Sequence, residues 1–105
     1  MKILFVCNQG VNRSRTAAEL FKDKFETKYS GLFNNLITQK DLEWADLIVV
    51  MEDFQRTEIG KIFPKQYLTK RIICFELQDI YYYNQPELIQ LLKIKMHHLL
   101  QPLIE

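Results

Sequence analysis

Three short runs of the chain, Lys2–Val6, Leu47–Met51 and Arg71–Phe75, are apolar throughout apart from the opening Lys2 and Arg71. Runs of that length without alternation are expected of strands buried on both faces. Between them the apolar positions recur at helical spacing. Ala17, Phe21 and Phe25 fall four apart with Leu20 beside them, which predicts a helix from about Arg13 to Lys28. Lys22, Asp23, Lys24, Glu26 and Lys28 fall on its solvated side. A short helix is predicted over Gln39–Ala45 with Thr38 as its N-cap, and another over Asp53–Ile62, with Pro64 just beyond its end. Pro86 sits where a first helical residue belongs, and a last helix runs to about residue 101. Its buried stripe is Leu88, Leu92, Met96, Leu99 and Leu103. Residues 30–39 carry turn formers (Gly31, Asn34, Asn35) and leave room for a short edge strand near Leu36–Ile37. Residues 76–85 read as a loop.

Apolar strands alternating with amphipathic helices predict an α/β fold: three layers, a small parallel sheet of three to four strands, and helices on both faces. In such sheets ligands bind beyond the carboxyl ends of the strands. The loop after the first strand and the 76–85 loop should therefore meet at one edge.

Composition narrows the functional classes. A chain of 105 residues with 48% hydrophobic side chains matches one domain with a core of its own. Its 14 basic and 13 acidic residues leave a net charge of +1, which is not the footprint of a nucleic-acid binder. The first apolar run is too short for a secretory segment or a membrane span, so the expected setting is cytoplasmic. Two cysteines, Cys7 and Cys74, are not a disulfide framework. No metal-ligand spacing is present, so neither metal nor cofactor is expected.

The chemistry concentrates in Cys7-Asn8-Gln9-Gly10-Val11-Asn12-Arg13-Ser14, a C-x5-R-S run between a strand and a helix. Five intervening residues can curl so that their backbone N–H groups converge on one centre, an anion nest. The following helix adds unpaired amides and the positive end of its dipole. Arg13 can grip two phosphate oxygens. Thiols in such surroundings ionise readily, so Cys7 is expected as a thiolate nucleophile. Ser14 can hydrogen-bond that thiolate when it departs. The bland account of the same residues is a buried cysteine ending a strand and an arginine on the surface. The strand before, the helix after and the serine at the next position favour the phosphate loop.

The run resembles the signature of the low-molecular-weight protein tyrosine phosphatases, which also lies directly after the first strand. Ala18-Glu19 is similar to the family's Ala-Glu pair in the first helix. The stretch from Glu43 to Glu52, EWADLIVVME, resembles its ADLI…M(D/E) strand, and Asp79 through Ile89 resembles its acid loop and the start of its last helix. The resemblance covers most of the chain outside residues 30–39. The chain is shorter than better-known members, at the second strand, and is similar to a small microbial branch. The resemblance implies a phosphatase-like fold and metal-independent hydrolysis of phosphate monoesters, phosphotyrosine or other aryl phosphates, through a phosphocysteine on Cys7. The implied partner is a phosphorylated protein or a small aryl phosphate, with neither nucleic acid nor membrane involved, acting on a monomer or weak dimer.

Departures from the family pattern matter. Gln9-Gly10 replaces the usual Gly-Asn, which puts the bracing of the loop in doubt. Asn12 replaces a second loop cysteine. Arg15 replaces a proline and is expected to add positive charge at the rim. No Asp-Pro pair occurs before the last helix. Asp79, followed by Tyr81 and Tyr82, is the first candidate for the general acid, and Glu76 the second. A turn-forming role is the bland account of Asp79, and packing that of Tyr81–Tyr83. Cys74 reads as structural, His97 and His98 as exposed or packing residues, Trp44 as core, and Lys93–Lys95 as a solvated face. Two competing functions carry weight: a phosphate-binding or regulatory module without efficient turnover, and arsenate reduction, for which Cys74 is the one further thiol.

Overall fold

The computed structural model describes residues 1–104, with side chains through Gln101. The first strand, β1 (Lys2–Cys7), runs into a loop and then α1 (Arg13–Phe21). Next come β2 (Glu26–Gly31), α2 (Gln39–Trp44), β3 (Leu47–Val50) and α3 (Asp53–Ile62). The chain closes with α4 (Pro64–Thr69), β4 (Arg71–Cys74) and α5 (Pro86–Ile104). The four strands form one sheet in the order β2-β1-β3-β4, and every pairing is parallel.

Alternation along the central strands divides the interior in two. Ile3, Phe5 and Cys7 join Leu47 and Val49 under α1 and α5, where Ala17, Phe21, Leu88, Leu92 and Met96 cover them. Leu4 and Val6 join Ile48 and Val50 beneath Leu42 of α2 and Ile59 of α3. Both faces of β1 and β3 are thus closed, which is why those strands lack polar alternation. The ring of Phe5 stacks on Phe21 at 6.1 Å. Leu103, expected on the stripe of α5, has its side chain outside the described residues.

The first helix is shorter than the periodicity predicts. It ends at Phe21, where Lys24 and Phe25 both donate to the Phe21 carbonyl, and Glu26 then begins β2. An edge strand buries little: only Ser30 and Gly31 of β2 are fully covered. Its Glu-Thr-Lys-Tyr sequence therefore carries no core-facing signal and resembles a solvated helix surface. Phe25 still packs on the first core, from the turn. The strand expected near Leu36–Ile37 is a single bridge between Gly31 and Leu36. Pro64 does more than follow α3, because it opens α4 from an N-terminal helical position. Thr38 caps α2 as predicted, accepting from the Asp41 N–H at 3.1 Å.

From β1 the chain steps to β2 on one side, and the later strands lie on the other. The order therefore reverses beside β1, and the crevice beyond its carboxyl end, between β1 and β3, is where a ligand site belongs in an open parallel sheet. The loop from Cys7 and the segment Met51–Asp53 both open onto it.

Candidate active site

Cys7 ends β1 and is buried. Its Sγ receives the Gly10 N–H at 3.3 Å and lies 3.1 Å from Ser14 Oγ. The Ser14 hydroxyl has one proton to give, and Ser30 O lies 3.3 Å away as a second acceptor. A thiolate has no proton, so with Cys7 ionised Ser14 is the donor between them. Gly10 sits at φ +66°. A Cβ there would come within 2.7 Å of the Gly31 nitrogen and the Ser30 carbonyl carbon, so glycine serves both the curl and the close approach.

The loop is braced although the usual Gly-Asn is absent. Asn35 Nδ2 donates to Gly10 O at 3.2 Å, and the Asn35 carbonyl accepts from Gly31 at 2.8 Å. Leu32 and Phe33 donate to the carbonyls of Cys7 and Asn8. The segment after β2 thus supplies the brace that the loop's own sequence lacks. Gln9 and Val11 are exposed, and Asn12 is half-buried at the start of α1.

Arg13 is the largest fully buried side chain, 1% exposed. Its Nη1 donates to Glu52 Oε1 at 2.5 Å and to the Leu77 carbonyl at 2.6 Å. Nη2 lies 3.4 Å from Asp79 Oδ1. Nε and Nη2 are buried without a hydrogen-bond partner among the described residues. Buried guanidinium donors are costly unless something pairs with them, and two neighbouring nitrogens of one fork match an oxyanion. One edge of Arg13 is therefore fixed by protein, and the other is available to an anion.

Asp79 stands over this arrangement. Its Oδ2 accepts from Asn8 Nδ2 at 2.9 Å, and its side chain is 49% exposed. The structure thus brings Cys7, Arg13, Ser14 and Asp79 around one loop. Glu76 is exposed at φ +55°, and no contact among the described residues joins its carboxylate to the Cys7 loop. Of the two candidate acids, Asp79 has the proximity.

The 79–84 segment is tied down by side chains. Tyr83 N–H donates to Asn12 Oδ1 at 3.2 Å, and Asn84 N–H to Thr16 Oγ1 at 2.8 Å. The Tyr83 hydroxyl donates to Glu19, and the Arg15 guanidinium lies 4.1 Å from the Tyr83 ring centroid. Arg15 also pairs with Glu19 at 3.3 Å. Its charge, expected to be free at the rim, is engaged in clamping Tyr83. The hydrogen bond from Tyr83 holds the Glu19 carboxyl below its ordinary range, and the same bond raises Tyr83. Tyr81 packs on the first core, so Tyr82 is the tyrosine most open to a substrate.

Glu52, Gln55, Asn35 and the Leu77 carbonyl escaped the sequence reading. Glu52 was findable, as an acidic residue just past a strand end at the switch point. Asn35 and Gln55 act across the fold and carry no local signal. Cys74 is half-buried at the end of β4, its thiol pushed up by burial. Trp44 is half-buried on the second core, with Lys28 Nζ 4.6 Å from its ring centroid. His97 and His98 are exposed. Among the described residues no group of three His, Cys, Asp or Glu side chains could hold a metal ion, and no helix is long and apolar enough to cross a membrane.

No protein-family model matches the sequence, and comparison with curated proteins finds no relative. Solved structures match over nearly the whole chain. The low-molecular-weight protein tyrosine phosphatase SP-PTP of Streptococcus pyogenes superposes with a TM-score of 0.78 at 19% identity, covering 99% of this chain and 93% of that one. The tyrosine phosphatase Wzb of Escherichia coli, solved with phosphate, gives 0.74 at 16% identity over 97% of each chain. The YwlE arginine phosphatase of Geobacillus stearothermophilus gives 0.72 at 19% identity, covering 96% of this chain and 93% of that one. Four parallel strands in the order β2-β1-β3-β4, with Cys7 at the tip of β1, are thus the fold of the low-molecular-weight protein tyrosine phosphatases.

Proposed function

We propose that the protein hydrolyses phosphate monoesters, aryl phosphates and phosphotyrosine foremost, through a phosphocysteine on Cys7. The observation that carries this reading is Arg13, buried at the end of the Cys7 loop with Nε and Nη2 free of hydrogen bonds among the described residues and only the Asp79 carboxylate 3.4 Å from Nη2, while Glu52 and Leu77 fix its other side. A phosphoryl group seated on the loop takes two hydrogen bonds from that fork and more from the amides of residues 8–14. The Cys7 thiolate attacks phosphorus in line. The S–P bond forms as the P–O bond to the leaving group breaks, and Asp79 protonates the departing oxygen. Water then attacks the phosphocysteine, Asp79 takes its proton, and Cys7 leaves as a thiolate with Ser14 donating to it. Arg13 and the loop amides carry the phosphoryl charge in both steps, so no metal is called on. Cys7 is a free thiol, as a thiol mechanism requires.

Hydrolysis of a generic aryl phosphate tests the reading, with wild type set against Cys7→Ser and Asp79→Asn and phosphoarginine as a second substrate. The expected result is turnover of the aryl ester, its abolition in Cys7→Ser, and a fall of about 10²-fold or more in Asp79→Asn. Turnover that survives Cys7→Ser overturns it. Preference for phosphoarginine moves the substrate to P–N chemistry. An inert wild type whose Tm still rises with phosphate makes the protein a binding module.

A further inference from the structure

A buried glutamine on α3 reaches the acid through one intermediary. Gln55 is fully buried. Its Oε1 accepts from the Met51 N–H at 2.8 Å and the Glu52 N–H at 2.9 Å, so the orientation of its amide is fixed by two backbone donors. Nε2 must then point the other way, and it donates to Asn8 Oδ1 at 2.9 Å. That in turn fixes Asn8: its oxygen is used, and its Nδ2 is left to donate to Asp79 Oδ2 at 2.9 Å. Backbone anchors decide both amide orientations, since reversing either would set donor against donor.

The consequence falls on Asp79. Asn8 presents only N–H to Oδ2, which favours that oxygen as the bare acceptor, because a hydroxyl oxygen accepts more weakly than the other one. Oδ1 lies 3.4 Å from Arg13 Nη2, on the side where the phosphoryl group is gripped, and once that group takes the Nη2 N–H, Oδ1 is the oxygen left to carry the proton. We infer that Gln55 and Asn8 are positioning residues that keep the acidic proton of Asp79 on Oδ1, aimed at the leaving-group oxygen. This rests on the phosphatase reading above. In the first step the Oδ1 proton passes to the leaving oxygen as the P–O bond breaks. In the second, Oδ1 takes a proton from the attacking water, while Asn8 holds Oδ2 throughout.

The test is how steeply kcat/KM depends on leaving-group acidity across a series of substituted phenyl phosphates. It is measured for wild type, Asn8→Leu, Gln55→Leu and Asp79→Asn. An activated phenol departs without help, and a poor one needs the proton. The expected result is a steeper dependence in Asn8→Leu. Its kcat/KM on unsubstituted phenyl phosphate, relative to that on the most activated ester, falls at least about tenfold below the wild-type ratio. Asp79→Asn shows a larger fall of the same kind. If Gln55→Leu fails to fold, Asn8→Leu alone carries the test, because the Asn8 side chain bonds to the acid and to Gln55 while its backbone bonds with Leu32 and Phe33 survive the substitution. A purely structural role lowers kcat/KM by one factor for every ester and leaves the slope unchanged, which overturns the relay while the phosphatase reading stands. A wild-type enzyme without Cys7-dependent turnover overturns both.

Discussion

Two loops form the candidate site, and they are built in opposite ways. The Cys7 loop is made of buried groups: Cys7, Gly10, Arg13 and Ser14 are all covered, and backbone bonds from Leu32 and Phe33 hold its start. The Asp79 loop is exposed along most of its length. It is anchored by Leu77 against Met51 O at 2.8 Å, by the packing of Tyr81, and by side-chain contacts from Asn8, Asn12, Thr16 and Glu19. The proposed anion seat is therefore part of the core, and Asp79, the proposed acid, is hung over it. Damage to the first loop should cost stability together with activity. Damage to the second should cost activity with the fold intact.

The largest effect should come from Glu52→Ala. It removes the closer of the two carboxylates on the buried Arg13 guanidinium and leaves only the half-exposed Asp79, a loss of about 3 kcal/mol. In a domain of this size that corresponds to a fall in Tm of roughly 12 °C or more, measured by thermal unfolding, and turnover should fall with it. A normal Tm would mean that Arg13 is not held as described. Gly10→Ala comes next. It meets strain at φ +66° and backbone atoms at 2.7 Å, so a loss of about 1–3 kcal/mol is expected, and phosphate should no longer raise the melting temperature.

Tyr83→Phe should have the smallest effect and mark the second loop as separate. Its readout is hydrogen exchange over residues 79–85, faster than in wild type, with Tm nearly unchanged. The clamp should also respond to pH. Glu19 has its carboxyl lowered in the folded protein by the Tyr83 hydrogen bond, so its contribution is complete above the ordinary carboxylate range and is lost as pH falls through the depressed value. Acidification should therefore loosen residues 79–85 in wild type and change them little further in Tyr83→Phe. Equal loosening in both would remove Glu19 from the account.

The same contrast explains what the sequence made legible. The Cys7 loop announces itself because a buried strand stops at a cysteine and a helix starts at an arginine, with the polar residues of a nest between them. Strands β1, β3 and β4 show as apolar runs because one or both of their faces are covered. β2 lies at the sheet edge, and Glu26, Lys28 and Tyr29 face solvent, so nothing in their pattern separates strand from exposed helix. Asn35 and Gln55 contact the Cys7 loop from a loop and a helix distant in sequence. Only the folded chain shows that Asn35 reaches Gly10 or that Gln55 reaches Asn8. Asp79 ranks ahead of Glu76 on the sequence as the one Asp of its segment, with Tyr81 and Tyr82 after it; its contacts with Arg13 and Asn8 are visible only in the folded chain.

The central claim is that Cys7 carries the phosphoryl group between two steps. Mixing the protein with an aryl phosphate, quenching in acid within a turnover and mapping the phosphorylated peptide by mass spectrometry tests it most directly. One phosphoryl group is expected on Cys7 in wild type, accumulating further in Asp79→Asn, where the second step loses its base. Turnover with Cys7 unmodified at every time point, or a phosphoryl group carried on another residue, would contradict it.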